Sequence, residues 1–145
     1  MNVPEYVTAE EVRRICKALK IRDWTRLKKP DVLPKEARAI LSALGLRGIG
    51  VSADDFRQGL EVELEHGTRY PDANVTNNHP LLTGRIVLAH LKESLDYYKR
   101  LEIAELEGDV LKATVAGSAA KLATLQRKLA RARLVLAKAE AKQLS

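Results

Sequence analysis

Apolar residues recur three and four apart over most of this chain, the period of helices that turn one face to a core. Thr8-Ala9-Glu10-Glu11 reads as a capping box, its hydroxyl and carboxylate each meeting an orphan backbone donor of a first turn. Val12, Ile15, Cys16 and Leu19 follow at helical spacing, which predicts an amphipathic helix over 9–20 with Cys16 packed inside as a small hydrophobe. Pro34 at a first helical position, then Ala37, Ile40, Leu41 and Leu44, with Gly45 as the stop, predict a second helix. Trp24 is expected to cover the junction of these two.

The glycines of "GLRGIG", residues 45–50, have the wrong spacing for a phosphate-cradling loop, and no Lys-Ser or Lys-Thr follows, so the stretch reads as a turn. Ser52-Ala53-Asp54-Asp55 caps a third helix with Phe56, Leu60 and Leu64 inside and a stop at Gly67. Residues 68–82 hold two prolines and three asparagines without periodicity and read as an ordered or functional loop. Thr83 is then expected to cap the longest helix, about Gly84 to Glu107. Ile86, Val87, Leu88, Leu91, Leu95, Tyr97, Tyr98 and Leu101 cover more than one of its faces, which makes it central. Gly108-Asp109 interrupts the pattern. Beyond it Val115, Leu122, Leu125, Leu129, Ala132, Leu136 and Ala139 form a thin heptad-like seam that needs the body, itself or a partner to pack on.

The expected fold is therefore all-α, a compact domain of about four helices over 1–107 followed by a helical extension over 108–145. Composition agrees: of 145 residues 46% are hydrophobic and only six aromatic, which favours helices over sheet. One cysteine forms no internal disulfide and no cysteine-based zinc site. No charged-then-apolar leader and no apolar run near 18 residues are present, so neither secretion nor contact with a membrane is expected, and a cytosolic origin fits.

Charge separates the extension from the body. Lys121, Arg127, Lys128, Arg131, Arg133, Lys138 and Lys142 stand against Glu140 alone, so the whole net charge of +6 lies in residues 118–145. Such a helix can follow a phosphate backbone or rest on an acidic protein surface, or be merely solvated. It has no aromatic residue for stacking on bases, which argues against sequence reading.

Candidate chemistry lies in Glu63-x-x-His66 and the mirrored His90-x-x-Glu93, each pair on one helical face. Packed together, the four offer imidazole and carboxylate ligands for a divalent metal such as zinc, iron or manganese. A ferritin-like di-metal site uses Glu-x-x-His on two helices, whereas here one pair is reversed, and further carboxylates would have to come from Glu61, Glu65 or Asp96. The other reading is a structural network in which Glu63 partners a buried His90 and His66 meets the carbonyls at a helix end. That network is the preferred reading, with no cofactor; metal-free acid–base catalysis is a further alternative. A zincin motif, a nucleophile elbow and a Walker loop are all absent.

"FRQGLEVELEHG" and "NVTNNHPLLTGRIVLAHLKESLDYYKRLEIAE" carry F-x-x-G-x-x-x-E-x-E-H-G, N-V-T and T-G-[KR]-I-x-x-A-H-L-x-E-x-x-D-Y-Y-x-x-L. Over about 52–107 this resembles a family of small proteins of unknown function common in tailed-phage genomes. The resemblance implies source and fold more than chemistry, because that family carries no established activity. Its members usually have a proline just before Asp-Tyr-Tyr; Leu95 stands there in this chain, which is expected to leave the long helix unbroken. The basic tail lies outside the family pattern.

Together these features favour a non-enzymatic bacteriophage structural protein of the virion, capsid-associated or at the head–tail junction, present in host cytoplasm before assembly. Its partners would be other virion proteins or copies of itself, docked through the C-terminal helix. A metal-dependent enzyme built on the Glu/His group, with 68–82 as a lid, and a non-specific DNA-binding accessory protein are the alternatives.

Overall fold

A computed structural model describes residues 6–45 and 50–145. All of its regular elements are helical: α1 (Ala9–Ala18), α2 (Pro34–Ala43), α3 (Ala53–Arg69), α4 (Pro80–Glu93), α5 (Tyr97–Val115) and α6 (Ala119–Leu144), with short 3-10 turns at Trp24–Arg26 and Pro71–Ala73. No strand occurs among the described residues. Residues 46–49 of the "GLRGIG" stretch lie outside them. The chain forms two compact units, Met1–Lys92 and Glu93–Ser145, dividing at the end of α4, where the sequence pattern placed the boundary after residue 107.

In the first unit, the hydroxyl of Thr8 accepts from the Glu11 N–H and starts α1. The helix ends at a Schellman turn with Lys20 left-handed (φ 56°), where the Ile21 N–H reaches the Cys16 carbonyl and the Lys20 N–H that of Lys17. Cys16 is buried, and its sulfur accepts from the backbone N–H of the fully buried Trp24. Burial pushes the Cys16 thiol up. Pro34 opens α2, which ends at Gly45 in the left-handed region. Ser52 caps α3 by accepting from the Asp55 N–H. Val12, Trp24, Ile40, Phe56, Leu60, Leu64 and Val87 form the buried centre.

One charged residue sits inside this core. Glu36 is wholly buried and accepts from the Arg22 side chain through Nε at 2.9 Å and Nη2 at 2.8 Å, and from the N–H groups of Arg22 and Leu33, each at 3.0 Å. Burial alone would push its carboxyl up, but the Arg22 guanidinium and these N–H groups outweigh it and hold it below the usual range. The segment between α1 and α2 is thereby fixed to the first turn of α2.

Three expected helix boundaries move. Helix α3 continues through Gly67 to Arg69, so Gly67 is not a stop but an interior residue without a Cβ. Thr83 does not cap a helix at Gly84: α4 begins at Pro80, and Nδ1 of His79 accepts from the N–H groups of Leu81 and Leu82, doing the work assigned to Thr83. The expected long helix is broken despite Leu95. Helix α4 stops at Glu93, and Ser94 and Arg100 both hydrogen-bond the buried Asp96, which lies just before α5.

In the second unit α5 runs through Gly108 without a break, and the true stop is Gly117 (φ 66°) in a Schellman turn: Ser118 N–H to Ala113 carbonyl, Gly117 N–H to Thr114 carbonyl. The chain then reverses and α6 packs antiparallel on α5. Seven residues along α5, Arg100 to Glu107, match seven in reverse along α6, because Arg100 pairs with Glu140 and Glu107 with Arg133. Leu125, Leu129 and Ala132 of α6 are buried, while Leu122, Leu136 and Ala139 are half-buried. Val115 does not join this seam; it is exposed at the end of α5.

Candidate functional site

The second half of α3, the loop after it and the first turns of α4 enclose a cleft of about 190 Å³. Glu63, His66 and Gly67 face it from α3, Asn74, Val75 and Thr76 from the loop, and Thr83 and Ile86 from α4. The loop closes over α3 because position 67 is glycine. A Cβ there would collide with Oδ1 of Asn78 and come within 2.8 Å of Asn74. Asn77 and Asn78 both take positive φ, 49° and 59°, which asparagine tolerates better than other non-glycine residues. The Asn74 amide donates through Nδ2 to Asn78 Oδ1 at 3.1 Å and to the Gly67 carbonyl at 3.4 Å. Asn77 ties the loop to the start of α1 by donating to the Val7 carbonyl.

A second glycine sets the opposite wall. Gly84 lies so near α2 and α3 that a Cβ would sit 2.8 Å from Leu44, 2.9 Å from Ile40 and 3.3 Å from Phe56. Helix α4 can approach this closely only without that side chain. Thr83, next to it, is consequently buried, and its hydroxyl has no hydrogen-bond partner among the described residues.

Of the four Glu/His candidates, three are brought together across α3 and α4. Glu63 Oε2 lies 3.7 Å from His66 Nδ1, and Glu63 Oε1 lies 3.6 Å from His90 Nε2. Each carboxylate oxygen therefore faces its own imidazole, and both separations exceed a hydrogen bond. His66 stands at the rim, Glu63 is mostly covered, and Glu93 is exposed in the last turn of α4. Among the described residues, no group of three or more His, Cys, Asp or Glu is placed to hold a metal ion. The further carboxylates considered for a di-metal site are engaged by arginines instead: Glu61 by Arg57, Glu65 by Arg69 and Asp96 by Arg100.

His79 escaped the sequence reading. It lies in the 68–82 loop without a helical pattern around it, and the signal was only its place beside Pro80. It is buried, its Nδ1 serves the first turn of α4, and its Nε2 lies 3.9 Å from Glu11 Oε1 of α1. Burial lowers its basicity, partly opposed by Glu11.

The seven tail cations, Lys121, Arg127, Lys128, Arg131, Arg133, Lys138 and Lys142, are all exposed. Arg133 is tied to Glu107 at 2.7 Å. Leu134 and Val135 are 55% and 44% exposed in the same helix. Among the described residues no helix is long and apolar enough to cross a membrane.

A family model described as "Protein of unknown function (DUF5661)" matches residues 12–107. It reaches well upstream of residue 52, where the resemblance in the sequence begins, and ends before the basic tail. No curated protein and no solved structure matches the chain.

Proposed function

The chain belongs to this family of proteins of unknown function, and we propose that it is a non-enzymatic accessory protein that docks on a neighbouring protein subunit through the outer face of α6. The observation that carries this reading is the makeup of that face. Helix α6 uses one stripe to pack on α5, and its remaining surface presents seven cations with Leu134 and Val135 exposed among them. Charge alone would suit phosphates, but a phosphate backbone has nothing apolar to place against Leu134 and Val135. An acidic protein surface with an apolar centre matches both features. The tailed-phage resemblance supplies the setting, a subunit of the capsid or head–tail region in the virion, with another virion protein as neighbour.

The test is a photo-crosslinking amino acid at Val135 in infected cells. One discrete protein adduct, lost when Arg131→Glu and Lys138→Glu are combined, is the expected result. Crosslinks to DNA alone would transfer the surface to the non-specific DNA-binding reading. No adduct at all would remove the docking reading.

A further inference from the structure

We infer that two copies of this chain pair antiparallel through the outer stripe of α5. This does not rest on the docking face of α6, which the pairing leaves open. Ala104, Gly108, Leu111 and Val115 fall four, three and four residues apart, the spacing of a helix-to-helix seam. Leu106, Val110 and Ala113 follow the first three by two residues, about 200° further round the helix, and these are half-buried or buried. The stripe therefore lies on the other side of α5 from its packed residues, with Leu111 64% and Val115 82% exposed. A helix that is apolar on opposite faces is built to be covered on both, and α6 packs on one.

Gly108 is the second observation. It sits inside α5, where glycine is less favourable than alanine. Gly67 and Gly84 are required within the chain, because a Cβ at either would collide with packed side chains. A Cβ at Gly108 would meet nothing within 4 Å. The packing of the described residues therefore has no use for the missing side chain, whereas the close approach of a helix from outside does.

Self-complementarity makes that helix the α5 of a second copy. In an antiparallel pair centred between Asp109 and Val110, Gly108 faces Leu111 of the other copy and Ala104 faces its Val115. Each layer sets a small residue against a large one, as facing positions of a filled core do. The two-fold axis also brings like flanks of the stripe together. Glu105 and Lys112 share one flank, so reversal sets each beside its opposite charge, about 3 Å away along the axis. Lys112 also meets Asp109 at 3.2 Å, and an ammonium has donors for a second carboxylate. Parallel pairing would instead set Glu105 against Glu105. Pairing through α6 would set its seven exposed cations against one another.

The experiment is sedimentation equilibrium on the full chain at micromolar concentration, where a dimer is expected. Leu111→Glu alters a residue exposed in the single chain, so circular dichroism should stay unchanged. It would bury an unpaired charge in the pair, and the dissociation constant should rise about a hundredfold. Glu105→Lys or Lys112→Glu alone should weaken the dimer at low salt, and the two combined should restore it, a rescue that only a second copy of this chain gives. Arg131→Glu with Lys138→Glu should leave the dimer intact, so the docking reading and this one fail separately. A monomer at every concentration, a dimer indifferent to Leu111→Glu, a dimer lost in the Arg131/Lys138 variant, or no rescue by the charge exchange would each overturn the assignment.

Discussion

Gly67 and Asn78 lie so close that the glycine's missing Cβ is what lets the asparagine-rich loop sit on α3. Asn78 cannot simply turn away, because its Oδ1 accepts from Asn74 and its backbone is already left-handed. Gly67→Ala should therefore cost about 1–3 kcal/mol, the range for forcing a methyl into a packed site. The favourable helix propensity of alanine would otherwise predict a gain of up to about 1 kcal/mol. A chemical-denaturation curve decides between them: a higher midpoint for the variant would mean the loop does not bear on residue 67.

Arg22 and Glu36 make the second prediction. The carboxylate is wholly buried, while the guanidinium is partly exposed. Removing the arginine strands a charge in the core, so Arg22→Met should destabilise by about 3 kcal/mol, the lower end for a broken buried pair. Adding Glu36→Gln to Arg22→Met should recover part of the loss, because the stranded charge is then gone. Additive losses in the double-mutant cycle would show that the two side chains act separately.

Acid should weaken the first unit in two stages. His79 is less basic folded than unfolded, so the unfolded chain binds more protons and stability falls as pH drops through the ordinary histidine range near 6.5. The first reason is burial, which disfavours the charged imidazole; in addition, a protonated Nδ1 can no longer accept from Leu81 and Leu82. Glu36 is held below its ordinary value, so its contribution is present above the carboxylate range and disappears as pH falls through that range and below. Melting temperature followed from pH 8 to 3 should show both losses, with the upper one absent in His79→Asn, which can still cap through its side-chain oxygen. An upper step that survives this substitution would assign it to another group.

What the sequence made legible follows from which signals are local. Helix starts with a side-chain cap, at Thr8 and Ser52, and the stop at Gly45 were readable because the deciding residues are neighbours in the chain. Gly67 and Gly84 were misread or passed over because their role is steric contact with residues distant in sequence, which periodicity does not encode. The break before α5 was missed for the same kind of reason: no proline marks it, and the features found there are the hydrogen bonds of Ser94 and Arg100 to Asp96. The placement of Glu63 and His66 on one helical face was legible as spacing, whereas Glu63 beside His90 was only an expectation about which helices face each other. The cleft was not legible, since it depends on where the 73–76 loop lies.

Helix α6 is held to α5 by burial more than by its ion pairs. The Arg100–Glu140 and Arg133–Glu107 pairs are exposed, and water and salt screen such pairs so that they add little to stability. Leu125, Leu129 and Ala132 are the residues that leave water. Leu129→Ala should cost about 2–3 kcal/mol, at the low end for a buried leucine because one side of this two-helix seam can relax toward solvent. Arg133→Ala should cost under about 1 kcal/mol and lose what it does cost at high salt. Hydrogen exchange on the α6 amides reads both: Leu129→Ala should speed exchange along the helix, and Arg133→Ala should leave it nearly unchanged. The reverse order would mean that the charges, rather than the narrow apolar stripe, set the register of the hairpin, and the outer cations would then be occupied internally instead of facing a partner.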